Sequence, residues 1–591
     1  MKVSLKWLQE YFDAPLPDAT TLSDALTFHA FEIEEATRTM LDVKVLPNRS
    51  ADCLCHRGIA SELSAILDRP LKSDPLREDV GTYDVPTSLT VEIEDEKKCL
   101  RYMGAVIRDV KVRPSPPWLR EALEAVGQRS INNIVDATNY VMLNIGQPLH
   151  AFDAGKLPQK DGAYAIMVRG AREDEQMTTL SNEEFTMPEG VLLITDAHTG
   201  AGIGIAGIKG GKAAEVTVAT TDLIIESANF DGTSVRRATQ ALKLFTDASV
   251  RFQNRPSPEL CAYGMRDVIA LIKELAGGEL VGVADAYPTH PKESAPVSAS
   301  LAKVNSVLGP SFSKEEVEDV LKRLSLSYMI VNDTFTVTPP FERTDISIPE
   351  DLIEEVGRII GYDKIPATEL PPLSGTPDQA RYRGIEKVKD HLVEQGFTEI
   401  STQSFAKKGD VVLANPLDKA KPALRTNLDE NMKEAMVRAK YVAPVVLPPG
   451  VKPKLFEIGT VFTKDGEHME IKTSEPAPDL PELKDAPDYS PAQYELGAYK
   501  PFSVYPFIVR DIAFWVPAGT DVGRTMSYIR EQAGELLVRV DQFDRFEKGG
   551  KVSLAFRLVF ESMERTLTDS EVNGIMERVS EALKKAGFEV R

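Results

Sequence analysis

The chain is poor in the features of secreted, membrane and disulfide-stapled proteins. Its 591 residues hold 4 cysteines, Cys53, Cys55, Cys99 and Cys261. That is too few for a disulfide framework and points to a reducing compartment. Cys53-Leu54-Cys55-His56 has the look of a ligand set, but no second thiol pair completes a zinc site. The cysteines therefore read as structural. No uninterrupted apolar run is long enough to span a bilayer. Met1 to Glu10 lacks signal-peptide architecture. These absences predict a cytoplasmic protein. Also missing are a P-loop, an HExxH helix and a GxSxG elbow, so three common routes to phosphoryl transfer or hydrolysis have no sequence support.

Positive charge is scarce too. Lys plus Arg number 69 against 90 Asp plus Glu, a net −21. Such a chain does not coat nucleic acid over its whole surface. The imbalance is uneven. Lys500 to Arg591 holds 14 basic and 14 acidic residues, leaving 55 against 76 elsewhere. The C-terminal segment is thus the one that least repels a phosphate backbone.

Hydrophobic residues make up 42% and charged residues 27%, ordinary globular values for a chain long enough for several domains. Proline-rich stretches mark boundaries at Tyr287–Val297, Leu370–Asp378 and Ser474–Pro491. The last is acidic and reads as an exposed linker. The N-terminal segment reads helix, helix, strand (Phe31–Ala36), strand (Leu41–Leu46), helix (His56–Leu67). Strand candidates follow at Tyr102–Ile107, Tyr164–Val168, Val191–Thr195 and Leu223–Glu226, with helices near Trp118–Val126 and Leu260–Leu275. Val297–Pro366 forms a compact α+β unit. Gln379–Thr473 opens with a long helix and continues into strands. Pro506–Arg591 reads β-α-β-β-α-β, the ferredoxin-like order.

Three motifs stand out, each with a plain alternative. Gly202-Ile203-Gly204-Ile205-Ala206-Gly207 formally matches GxGxxG, yet β-rich sequence (Val216–Val218) follows where a dinucleotide site needs a helix. A glycine-rich turn that lets backbone approach a ligand is what remains. Ile131–Asp153 packs Asn, Asp, Thr and Gln into an apolar frame. It is either a small-ligand pocket or a self-satisfied polar network with a structural His150. Arg343–Glu355 places Asp345, Asp351, Glu354 and Glu355 where a loop enters a helix. Pro349 suits the first turn, and Ser347 or Asp345 suits the cap. Asp351, Glu354 and Glu355 fall on one face. Four carboxylates this close suit a hard cation, Mg²⁺ above all. Equally, first-turn acids complement the helix dipole without a metal, and spacing alone favours that reading.

The motifs in order resemble the β subunits of bacterial phenylalanyl-tRNA synthetases. The resemblance rests on Pro47–Leu54, Ile131–Asp153, Thr246–Ser249, and Asp351–Glu355 followed by Gly361–Pro366. Tyr505-Pro506, Arg510–Ala513 and Glu564–Asp569 extend it to the tail, so it covers nearly the whole chain. It implies a multidomain α+β fold: an N-terminal α+β domain (1–75), an editing-type domain (76–290), a small metal-bearing α+β domain (291–370), a degenerate class II synthetase-like antiparallel core with linker (371–498) and a ferredoxin-fold anticodon-binding domain (499–591). It implies an α2β2 complex whose α subunit joins phenylalanine, activated by ATP, to tRNA(Phe). Lys454–Phe462 resembles a class II strand pair yet holds no arginine to meet phosphate charge, in keeping with a supporting core.

The resemblance also assigns residues. Mg²⁺ ligands at the subunit interface fall on Asp345, Asp351, Glu354 and Glu355. A pocket that hydrolyses mischarged Tyr-tRNA(Phe) falls on Thr138, Asn139, His150, Ala206, Gly207, Glu226, Thr246 and Ala248. A second site is what the chemistry asks for, since an apolar phenylalanine pocket rejects an added hydroxyl weakly. Glu226 suits the phenol, and His150 the ester or a water. Two departures matter. The family's OB-type insertion before Pro47 is missing, and Lys209 and Gln253–Pro256 stand where the family has other residues. The alternative from a different class is a non-ligase RNA-binding or trans-editing descendant.

Overall fold

Strands here form where β-branched and aromatic residues recur, and the helices that pack on them do so through one apolar stripe. The computed structural model describes all residues except Pro86, Thr87, Pro291–Glu293, Leu373, Ser374, Thr376, Leu496 and Lys500. Parts of the boundaries expected at Tyr287–Val297 and Leu370–Asp378 therefore lie outside the described residues. The chain forms two compact units, Met1–Leu370 and Pro371–Arg591. Among the described residues no helix is long and apolar enough to cross a membrane.

The first unit begins with a strand that the sequence reading missed. Lys2–Ser4 pairs antiparallel with Met40–Asp42 and precedes the helices Leu5–Gln9 and Ala19–His29. Three residues are too few for a periodic signal. Ile33–Ala36 and Met40–Val43 are joined by a tight turn in which the Thr37 amide donates to the Met40 carbonyl at 2.8 Å. Nothing is inserted between them. Helix His56–Leu67 buries His56, whose Nε2 accepts from the Ser4 amide at 3.1 Å.

Two sheets then build the scaffold of the site. One is antiparallel, in the order Glu279–Ala286, Cys99–Arg108, Leu223–Phe230, Leu149–Asp153. The other runs Lys209–Gly210, Gly202–Ile205, Leu192–Asp196, Tyr164–Gly170, Leu89–Ile93. Leu223–Phe230 is buried at every position, as a central strand covered on both faces must be. The strand Lys209–Gly210 is the next element after Gly207, so the GxGxxG match is the strand Gly202–Ile205 and the turn after it, with no α-helix at its end. Val216–Val218, expected as β-rich, is irregular. A further three-stranded sheet (Val297–Ser300, Thr334–Thr338, Ser327–Val331) packs with helix Pro349–Ile360.

The second unit carries a hairpin, Leu455–Thr463 with Gly466–Thr473, and the helices Ala380–Glu394 and Asp429–Val446. The latter was not anticipated; Pro444 within it breaks the sequence pattern. Ser474–Pro491 is largely exposed, in line with its composition, and it is also a strap bound along Ala380–Glu394. The Ala486 amide donates to the Ala380 carbonyl at 2.9 Å, and the Tyr489 and Tyr494 hydroxyls donate to Asp390 at 2.7 and 3.0 Å. Gly384 allows this: a Cβ there would stand 2.0 Å from the Lys484 carbonyl oxygen. The tail forms a sheet ordered Leu537–Lys548, Lys551–Phe560, Ile508–Pro517, Glu589–Val590, with two helices. This is the β-α-β-β-α-β arrangement read from the sequence.

Candidate functional site

Strand register assembles the site. Glu226 lies directly opposite His150 on one side and Gly104 on the other, so Glu226 and His150 project to the same face. Tyr102, diagonal to Glu226 through Gly104, shares that face, and its hydroxyl donates to Glu226 Oε2 at 3.1 Å. Sequence reasoning missed Tyr102; only the strand pairing reveals it. Around this group lies a cavity of about 60 Å³ lined by His150, Gly207, Gly210, Glu226, Ala248 and Phe252 among others. Gly210 lacks room for a side chain: a Cβ would come within 2.4 Å of the His150 ring.

Burial sets the protonation states. Glu226 is only 6% exposed. Desolvation pushes its carboxyl up to about 8, against a smaller lowering by the Tyr102 hydroxyl, so near neutrality it mostly holds its proton. Desolvation pushes the His150 imidazole down to about 4, and the ring is neutral. The pair is an uncharged hydrogen-bonding surface. It suits a polar, uncharged group such as a phenol or an ester, and a water beside either.

The other residues assigned to this pocket divide. Ala206 precedes Gly207 in the turn. Thr246 caps helix Asp247–Gln253 and donates to the Ile208 carbonyl at 2.9 Å, joining that helix to the cavity wall. Thr138 and Asn139 do not line the cavity. They lie on helix Asn133–Ile145, where the Thr138 hydroxyl donates to the Val135 carbonyl at 2.7 Å. Lys209 lines the cavity, and its Nζ donates to Ser181 Oγ at 2.7 Å.

The acid cluster departs further from expectation. Asp351 sits at the third position of helix Pro349–Ile360 and accepts from the Ser347 and Ile348 amides at 2.7 and 2.8 Å. The capping group is therefore Asp351 reaching back, rather than Ser347 or Asp345. Asp345 takes two bonds from Arg343, at 2.9 and 2.7 Å. Glu355 is buried between Arg343 and Arg358. Glu354 is exposed. The four acids do not form a ligand set: among the described residues, ligand spacing occurs only at Asp52, Cys53 and Glu62. Arg49 already occupies that group, with a nitrogen 2.6 Å from both Asp52 and Glu62. In this arrangement guanidinium groups supply the positive charge beside Asp345 and Glu355, and backbone amides engage Asp351. Arg49, Arg343 and Arg358 interleave with Asp52, Glu62, Asp345 and Glu355 as one buried network. Burial alone would raise the Glu62 carboxyl, but Arg358 and Arg49 hold it below the usual range; Arg343 and Arg358 do the same for Glu355.

In the second unit, Arg425 is buried and donates to Glu457, to the Thr402 hydroxyl and to the Thr460 carbonyl, each within 2.9 Å. It is fully spent inside the fold.

Comparison with known proteins agrees with this layout. Residues 98–277 match the B3/4 domain model, 297–362 the tRNA synthetase B5 domain, and 503–591 the ferredoxin-fold anticodon binding domain. The chain is 31% identical to the phenylalanine–tRNA ligase beta subunit of Geobacillus kaustophilus, over 92% of this chain and 79% of that protein. It is 32% identical to that of Clostridium acetobutylicum, over 93% and 80%. The beta subunit of Halalkalibacterium halodurans is also 32% identical, over 92% and 79%.

Proposed function

Because this chain belongs to the family of phenylalanine–tRNA ligase beta subunits, a component of an aminoacyl-tRNA ligase, we propose that its Glu226–His150 cavity hydrolyses tyrosine wrongly joined to tRNA(Phe). The cross-strand pair with Tyr102 behind it is the observation that carries this reading. A tyrosyl group entering the cavity meets a hydrogen-bonding carboxyl where phenylalanine has nothing to offer, so selection rests on the hydroxyl that an apolar synthetic pocket rejects poorly. Neutral His150 orients the ester or the attacking water. Water adds to the ester carbonyl, the ribose oxygen leaves with a proton, and tyrosine and tRNA separate. No covalent enzyme intermediate is required.

A beta subunit implies an alpha partner and tRNA. We assign phenylalanine activation to that partner: Arg425 is locked to Glu457, leaving the core at 371–498 a supporting role in an α2β2 assembly. The solvent-facing side of the C-terminal sheet suits RNA. Trp515 stacks edge-on against Phe546 at 6.2 Å, Arg591 covers Trp515 and Arg557 covers Phe543. Exposed aromatics between guanidinium groups are a base-stacking surface.

The test is deacylation of Tyr-tRNA(Phe) by the complex of this chain with its alpha subunit. Gly210→Ala fills the space against His150 and is expected to slow deacylation about tenfold or more, the scale of overpacking a closed site. Phenylalanylation should stay within twofold. A Gly210→Ala complex that deacylates at the parent rate, or a parent complex that leaves the ester intact, rejects the reading.

A further inference from the structure

Helix Gly232–Leu242 carries an unusual face for an acidic protein. It buries Val235, Ala238, Thr239 and Leu242. The opposite side exposes Arg236, Arg237, Gln240 and, one residue past the helix end, Lys243. At 100° per residue Arg236, Arg237 and Gln240 share one face, and Lys243 follows at the helix end. Among the described residues, none of Arg236, Arg237, Lys243 or the nearby exposed Arg255 lies within 4.0 Å of a carboxylate. The nearest acids in the chain are occupied. Asp231 caps the helix through the Ser234 amide at 2.7 Å, and Asp247 is held by Gln128 at 2.8 Å and by Arg251. Arg255 donates to the Thr233 hydroxyl at 3.1 Å, and four cations without a carboxylate partner in a chain of net charge −21 call for a polyanionic partner.

Position says which one. The face runs into Lys243, in the left-handed conformation (φ 55°), and then Phe245, which is 66% exposed. The next residue, Thr246, bonds to the cavity wall at Ile208, and Ala248 lines the cavity itself. Cations thus follow one another over roughly 10 Å of helix and end at an exposed ring beside the cavity mouth. Spaced cations leading to a bare aromatic form a track for single-stranded nucleic acid, with phosphates on the cations and a base on the ring.

We propose that Arg236, Arg237 and Lys243 bind the backbone of the single-stranded 3′ end of tRNA, and that Phe245 stacks one of its terminal bases, delivering the aminoacyl ester to the Glu226–His150 cavity. The inference rests on the editing reading for its purpose. It stands on this surface for its chemistry. These are positioning residues; none touches the ester.

The experiment uses the full chain, alone and with its alpha subunit. The probes are an uncharged acceptor-stem RNA hairpin with its single-stranded 3′ end, and the same hairpin without the last four nucleotides. The chain alone should bind the complete hairpin about tenfold more tightly. Combined Arg236→Gln, Arg237→Gln and Lys243→Gln should abolish that preference and flatten the log–log salt slope by roughly 2, since each single-strand phosphate contact contributes about 0.7. All three side chains are exposed, so melting should not change. Phe245→Ala should weaken binding without altering the slope. In the complex, the triple variant should raise the KM for Tyr-tRNA(Phe) deacylation about tenfold while kcat stays within twofold. Loss of hairpin preference in a chain that never deacylates supports this surface and rejects the editing reading. Equal binding of the two hairpins by the parent chain, or an unchanged slope and KM in the triple variant, overturns the proposal.

Discussion

Replacing Arg358 with methionine is expected to destabilise the N-terminal unit by about 3–5 kcal/mol, the cost of stranding a buried charge. Arg358 bonds Glu355 at 2.7 and 2.6 Å and Glu62 at 2.6 and 3.2 Å. Without it, Arg49 and Arg343 must serve four buried or nearly buried carboxylates. Methionine keeps most of the volume, so the loss is chiefly electrostatic. The sign with pH follows from the two glutamates. Their folded-state carboxyls are held below the unfolded value, so they add stability that is complete above about pH 5 and is lost as pH falls through the folded values. The gap between parent and variant should therefore narrow on acidification. Arg358→Met combined with Glu62→Gln should recover part of the loss, because the double change removes a stranded charge. The chain has 3 tryptophans, Trp7, Trp118 and Trp515, and a Trp515→Phe background confines fluorescence to the first unit. Urea unfolding in that background checks the value. A loss under about 1 kcal/mol, or a double variant weaker than the single, would sink the idea of a coupled network.

That network also marks where sequence reading stopped. The run Arg343–Glu355 announces crowded acids, and crowded acids demand positive charge. It does not say whether the charge is a metal or an arginine. Arg49 and Glu62 lie hundreds of residues from Arg358, and only the fold brings them together. Long periodic elements were legible: helix Val522–Ala533 and the first half of strand Leu223–Phe230, over Leu223–Glu226, declare themselves by pattern. Short strands such as Lys2–Ser4 carry no period. Proline and acid mark the strap at Ser474–Pro491 as solvent-exposed, which it largely is, but do not show that it is anchored. Its backbone is bound by partners on a helix about a hundred residues earlier. In the cavity, His150 lies within a motif of the family resemblance, and Glu226 is reachable as a residue that the resemblance assigns at the end of an apolar strand. Tyr102 and Gly210 were not, because their roles depend on register and on space. Thr138 lies inside a motif, and its hydroxyl bonds its own helix at the Val135 carbonyl.

Glu226 and Glu62 are the same residue type, both buried, and they shift in opposite directions. Glu62 has two guanidinium groups; Glu226 has only the Tyr102 hydroxyl, with no cation within 4.0 Å among the described residues. Glu226→Gln is accordingly expected to stabilise the protein. With the folded carboxyl raised from its ordinary 4.5 to about 8, the folded state binds the extra proton between those pH values. Stability is then complete below the unfolded value and falls as pH rises toward 8. At 1.36 kcal/mol per unit, the carboxyl costs roughly 3 kcal/mol at pH 7. Glutamine has no such charge to suppress and still accepts from Tyr102. The variant should match the parent near pH 4 and exceed it by roughly 3 kcal/mol at pH 7, read by urea unfolding in the Trp515→Phe background. Its deacylation of Tyr-tRNA(Phe) should fall, since the carboxyl that meets the phenol is gone. Stability gained at neutral pH together with deacylation lost is the signature of a group kept for function against its own burial cost. A variant less stable than the parent at every pH, or one whose advantage does not grow between pH 5 and 8, would show that Glu226 carries no such cost.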